Sequence, residues 1–311
     1  MRRCPGPLWL VLALLPVLGS CGVRETAIVE KDTALADRIE RLVDAFLTSD
    51  DDGKNAAVLA DARAIFERQG IPSVAQVGDA AAYGFVLINM LGQPPDFRSQ
   101  FFASVQTAAA RHALPEDALA FAEARRRQTE IDVRYTTQIP SHPDLRDQIT
   151  RLLKDDQAVR QKSGFDIKRM EEADRRTAGP LTTIFDRYGV PTYDMVGVQA
   201  AKDFVIMVQH QAPAFRAAVL PKLKANVYAG QGEPGAYAMV YDRTQRDQGK
   251  HQLYGQQLEC TSGKTLDVAP MDDAKHVNMR RAELGLMRLE LYARLVRLNS
   301  PDMCASGGLH K

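Results

Sequence analysis

Apolar residues recur every three to four positions along most of the chain. Ala118, Phe121 and Ala122 form one such stripe with Arg125, and Ala236, Met239 and Val240 form another with Arg243. That spacing is the mark of helices that bury one face. It predicts helices over 34–47, 55–69, 79–91, 97–112 and 115–127, then over 145–161, 172–188, 197–211, 214–229 and 234–246. The stretch 200–208 is apolar nearly all round, which predicts a buried helix. Gly70-Ile71-Pro72 and Gly189-Val190-Pro191 each stop a helix, because glycine reaches the left-handed region and proline cannot continue the ladder. After Gly249 the period changes to two, so 251–259 and 265–268 read as strands of a hairpin turned by Ser262-Gly263-Lys264. Helices at 272–283 and 286–298 follow, then a loose tail.

The two series of helices share a sequence. Ile65-Phe66-Glu67-Arg68-Gln69-Gly70-Ile71-Pro72 aligns without gaps on Ile184-Phe185-Asp186-Arg187-Tyr188-Gly189-Val190-Pro191. Val77-Gly78, Ala81-Ala82 and Phe85-Val86 then fall on Val196-Gly197, Ala200-Ala201 and Phe204-Val205, and Phe97-Arg98 falls on Phe215-Arg216. Upstream, Leu35, Asp37, Ile39, Arg41 and Leu42 match Leu145, Asp147, Ile149, Arg151 and Leu152. The expected fold class is mainly α: two degenerate tandem helical repeats, the second with a small β-hairpin insertion and C-terminal helices. The expected organisation is a signal segment 1–20, a tether 21–33, a scaffold repeat 34–140, a complete helical domain 141–298 with its hairpin at 251–268, and a tail 299–311.

The first residues carry a different pattern. Met1-Arg2-Arg3 is a short basic start, and 8–18 (LWLVLALLPVL) is an apolar run of 11 residues. That is signal-peptide length, well below the roughly 20 residues a membrane span needs. Leu18-Gly19-Ser20-Cys21 resembles a bacterial lipobox, so Cys21 is the expected acylation site, and Gly22 after it resembles lipoproteins sent on to the outer membrane. The plainer reading is secretory cleavage near Ser20 with Cys21 incidental. The expected location is therefore the bacterial envelope, lipid-anchored in the outer membrane and facing the periplasm, with the membrane as a partner through Cys21. The sole tryptophan, Trp9, lies in the removed segment.

Charge excludes one class of partner. The chain of 311 residues holds 40 Lys and Arg against 39 Asp and Glu, and without Arg2 and Arg3 the count is 38 against 39. A near-neutral chain lacks the electrostatic footprint of a nucleic-acid binder. Once Cys4 is removed and Cys21 acylated, Cys260 and Cys304 remain in an oxidising compartment and are expected to form a disulfide.

Because the chain is duplicated, it supplies its own comparison. Gln209-His210 stand where the first copy has Met90-Leu91, Asp242 where it has Ala124, and Gly255-Gln256 where it has Thr136-Thr137, while Arg243 is kept as Arg125. Polarity there was not required by the shared fold, so the second copy is the expected carrier of any site. The motifs Asp156-Gln157-x-x-Arg160, Gly189-x-Pro191, Gln209-His210, Asp242-Arg243, Gly249-Lys250-x-Gln252-x-Tyr254-Gly255-x-Gln257 and Arg280-Arg281-x-x-x-Gly285-Leu286 run in that order. In this order the segment 145–297 resembles the bacterial domain-of-unknown-function family 6624. It departs from the family pattern at Val190, where Trp is usual, and at Gln256, where Thr is usual. The resemblance implies positions for a site and no reaction.

The binding candidates are therefore Asp156, Gln157, Arg160, Gln209, His210, Asp242, Arg243, Gln252, Tyr254, Gln257, Arg280 and Arg281, with His210 and Asp242 as catalytic candidates. Each has a plainer reading. His210 is also a favourable cation at a helix C-terminus. Asp156 and Arg160 are an i,i+4 pair. Arg243 reads as a tie between helices, and Gln252, Tyr254 and Gln256 alternate onto one face of a hairpin open to solvent. Arg280 and Arg281 form either an anion-binding cluster or a charged helix surface. No cofactor or metal is expected, since none of the six histidines forms a His-x-x-x-His pair and no cysteine has ligand spacing. The chain carries no nucleophile elbow, phosphate loop or dinucleotide fingerprint. Two readings stay open. One is a lipid-anchored binding module for an envelope peptide, glycan or protein. The other is a hydrolase-like enzyme with His210 as base and Asp242 as its orienter.

Overall fold

A computed structural model describes residues 31–300 and Cys304, leaving aside 50, 164–166 and 262–264 and the side chains at 52, 160–163 and 167. The expected signal segment and lipobox lie outside the described residues. The first helical set comprises α1 (Thr33–Thr48), α2 (Asp52–Gln69), the single turn α3 (Val74–Val77), α4 (Asp79–Gly92), α5 (Pro95–Ala110) and α6 (Glu116–Thr137). The second comprises α7 (Pro143–Ser163), α8 (Ile167–Tyr188), α9 (Tyr193–Val208), α10 (Pro213–Tyr228) and α11 (Pro234–Asp247). A two-stranded antiparallel hairpin follows, β1 (Leu258–Thr261) and β2 (Thr265–Val268). A 3-10 turn at Ala274–His276 then leads into α12 (Val277–Glu283) and α13 (Leu289–Asn299).

Several helix bounds and two pairs of glycines recur at the spacing of the aligned sequence. α1 and α7 begin 110 residues apart, α2 and α8 end 119 apart, and α5 and α10, like α6 and α11, begin 118 apart. Gly70 (φ 75°) and Gly189 (φ 73°) end equivalent helices in the left-handed region, each donating its N–H 2.8 Å to the carbonyl four residues back. Gly78 (φ 85°) separates α3 from α4, and its counterpart Gly197 (φ 81°) breaks α9 at the same point. An L side chain is strained at such φ values, which is why glycine recurs there.

Each set closes its own core. The first is built on Ile39, Ile65, Phe85, Ile88, Phe101 and Phe121, the second on Ile149, Leu181, Phe204, Val208, Val219 and Val240, all fully or almost fully buried. α6 runs ten residues past its expected end. Its last turns bury Ile131 and Tyr135 in the second core, and Arg126–Glu130 and Gln128–Asp132 pair at i,i+4 on its surface. The C-terminal segment joins the two sets. Ala282 and Met287 pack on the first core and Leu284 and Leu286 on the second. Arg288 donates 2.6 Å to both oxygens of Asp117, pairs with Asp79, and lies 4.3 Å over the Tyr83 ring.

Two expectations change. The first strand of the hairpin is four residues rather than nine, because 251–257 folds around a buried carboxylate instead of extending. The tail is not wholly loose, since Cys304 forms a disulfide with Cys260 at a Cα–Cα distance of 5.5 Å.

Candidate functional site

Asp242, on α11, is fully buried and accepts hydrogen bonds from the backbone N–H groups of Leu253 (2.8 Å), Tyr254 (3.0 Å) and Gln256 (2.8 Å). Burial raises its carboxyl pKa against the opposing pull of these donors. Three amides converging on one side chain cannot belong to an alternating strand. The expected hairpin faces of Gln252, Tyr254 and Gln256 therefore do not form. Gln252, also fully buried, completes the loop: its amide donates to the carbonyls of Gln257 (2.9 Å) and Ala269 (2.7 Å) and accepts from the Gln257 N–H (2.8 Å). Gly255 makes the turn at φ 71°, where a Cβ would meet Leu289 at 2.6 Å.

The two arginines are spent on the same loop. Arg281, 1% exposed, donates to the carbonyls of Tyr254 and Met287, each at 2.6 Å, and lies 4.8 Å over the Tyr292 ring. Burial lowers its pKa to about 10. Arg280 donates to the carbonyls of Leu253, Asp272 and Asp273 and to the Asp273 carboxylate. Their forks are directed at main chain rather than gathered as an anion site. Asp242, Gln252, Tyr254, Gln257, Arg280 and Arg281 thus form one loop-building network. Arg243, also on α11, is exposed. The side chain of Arg160 lies outside the described residues.

Asp156 and His210 come together elsewhere. Asp156, on α7, is 3% exposed, and its Oδ2 stands 3.9 Å from Nδ1 of His210, in the turn after α9. The carboxylate that stands beside His210 is thus Asp156, while Asp242 is engaged by the 251–257 loop. A third group joins them: Asp174 of α8, with one ligand-type atom of each residue within 4.8 Å of the others. Gln157 donates to Asp156 at 3.3 Å.

Neighbouring side chains fix the turn that carries His210. Arg216, 4% exposed, donates to the carbonyls of Gln209 (3.2 Å) and Gln211 and to Asp247 (3.1 Å), pinning the turn on both sides of His210. Gln211 donates to the Thr177 hydroxyl at 2.9 Å, tying the same turn to α8 one helical turn beyond Asp174.

The first helical set shows what the fold alone asks of these positions. The spacing that aligns α1 with α7 and α2 with α8 places Phe46 opposite Asp156 and Asn55 opposite Asp174, and Leu91 stands opposite His210. Phe46 and Leu91 pack on the first core, and Asn55 bonds the Ser49 carbonyl. Sequence reasoning found His210 by this comparison but missed Asp174. The same alignment carried the signal, an acid facing an amide midway along a helix whose end was already matched.

Gln209 faces a different space. Together with Gln256, Arg281 and Tyr292 it lines a cleft of about 380 Å³ where the two helical sets meet the C-terminal segment, with Leu91, Ile206, Met239 and Met287 as its apolar walls. The candidates thus divide among a loop network, a cleft and a three-residue polar cluster.

The family model described as a family of unknown function, DUF6624, matches residues 143–300, which spans α7 to α13. No curated protein and no solved structure matches the chain. The match covers half of the chain, including the whole second helical set, the Asp242 loop and the Asp156–Asp174–His210 cluster, and the chain belongs to DUF6624.

Proposed function

We propose that the protein is a lipid-anchored binding module of the bacterial envelope, held through Cys21 and facing the periplasm, with its ligand site in the second helical set. One observation carries the reading: Asp156, Asp174 and His210 stand where the first set has Phe46, Asn55 and Leu91 on the same backbone. The fold does not need charge there, since the first set folds with two apolar residues and an amide at those positions. The first set and the C-terminal segment act as scaffold, and the Asp242 network fixes the loop beside the second core.

A binding role fits better than hydrolysis. Both oxygens of Asp242 accept from backbone amides, which supports a loop-building role for it over that of orienting His210. The ligand classes that suit an envelope location are a peptide, a glycan fragment or another envelope protein. The test is a thermal-shift screen of such compounds against the full chain and its His210→Leu and Asp174→Asn variants. At least one compound is expected to raise the wild-type melting temperature and to leave both variants unmoved. Compounds that shift all three proteins equally would place binding elsewhere. Anchoring is tested by labelling with a lipid precursor, which is expected to mark the wild type and not Cys21→Ser.

A further inference from the structure

We propose that Asp156, Asp174 and His210 bind a divalent transition-metal ion of the zinc class. The inference rests on the reading of the second helical set as the functional one and names its inorganic ligand. Each residue comes from a different part of the bundle, α7, α8 and the turn after α9, and offers one ligand atom within 4.8 Å of the other two. The 3.9 Å between His210 Nδ1 and Asp156 Oδ2 is beyond hydrogen-bond reach. It is close to the ~3.3 Å that separates two ligands around a shared ion with bonds of about 2.0–2.2 Å.

The donor set selects the ion. One imidazole nitrogen with two carboxylate oxygens suits zinc and its neighbours in the first transition row, whereas magnesium and calcium favour all-oxygen shells. Three protein ligands leave a coordination position for water or for a donor atom of the bound ligand.

The internal copy is the second, independent observation. On the same helices it carries a phenylalanine, an asparagine and a leucine, which cannot together ligate an ion, so the ligand set is specific to the second copy. Neighbouring groups brace Asp156 and the turn that carries His210. Gln157 reaches the Asp156 carboxylate at 3.3 Å, and the Arg216 and Gln211 contacts hold the His210 turn against α8. Such outer contacts orient metal ligands and raise affinity.

The experiment is calorimetric titration of the full chain, stripped with chelator, with zinc chloride and separately with magnesium chloride. One zinc per chain and a rise of several degrees in melting temperature are expected, with no response to magnesium. His210→Leu and Asp174→Asn, both at part-buried positions, are each expected to weaken zinc binding at least about 100-fold while keeping the wild-type circular dichroism spectrum. The exposed pairs His251–Asp272 and His276–Asp273 are the competing surface sites. Binding that survives both cluster variants, or that disappears in His251→Ala or His276→Ala, overturns the proposal, as does an absence of zinc binding in the wild type. If zinc fails to bind while a compound from the ligand screen still depends on His210, the metal inference falls and the site reading stands. If both experiments fail, both fall.

Discussion

Nδ1 of His210 lies 3.9 Å from Oδ2 of Asp156, in the positions that Leu91 and Phe46 occupy in the first helical set. Both sets place left-handed glycines at matching points, Gly70 with Gly189 and Gly78 with Gly197, and both start a helix with proline, at Pro95 and Pro213. At the cluster positions the difference is therefore one of side-chain chemistry, and several outcomes depend on it.

Asp242→Ala removes the acceptor for the amides of Leu253, Tyr254 and Gln256. A buried donor left unsatisfied costs on the order of 1–3 kcal/mol. The variant is expected to lose about 3 kcal/mol or more in chemical denaturation and to be cleaved by protease within 250–257. Stability within about 0.5 kcal/mol of wild type would show that the loop does not hang on this carboxylate.

Arg288→Ala breaks the tie between the C-terminal segment and the first helical set and leaves Asp117, 7% exposed, without the arginine that donates to both of its oxygens. Losing one partner of a buried pair costs roughly 3–5 kcal/mol. Part of Arg288 stays in reach of solvent, so a loss of about 3 kcal/mol is expected by urea denaturation. A Met substitution, which restores an apolar side chain at this position, should recover some of it.

Reduction of Cys260–Cys304, or Cys304→Ser, opens a loop with a sequence separation of 44 residues. Chain entropy alone sets an upper limit of about 4 kcal/mol for the loss. Melting with and without reductant measures it. A melting temperature indifferent to reductant in the wild type would mean that the bond constrains little of the unfolded chain.

The helices were legible because their signals are local. A stripe such as Ala118, Phe121 and Ala122 faces one core and nothing else decides its conformation. The stop at Gly189 was equally plain, since it needs only a left-handed residue and a following proline. The segment 251–257 was misread because its alternating pattern mimics a strand, while its actual conformation is set by Asp242, a residue on a preceding helix. α6 ran beyond its expected end for a related reason. Ile131 and Tyr135 find partners only in the second core, which no window on the first helical set contains. The cluster was half legible: His210 stood out against Leu91, but its proximity to Asp156 and Asp174 depends on how three helices pack, and linear spacing carries no trace of that.

The central claim is that Asp156, Asp174 and His210 are kept for a ligand and not for folding. It is tested most directly by thermal unfolding of the wild type beside His210→Leu, both in chelator. The substitution installs the residue the first helical set carries at this position, so the predicted melting temperature is equal to or above that of the wild type, as when a polar group held for function is replaced. A drop of several degrees, corresponding to about 1–3 kcal/mol, would identify His210 as a structural hydrogen-bonding group and contradict the account.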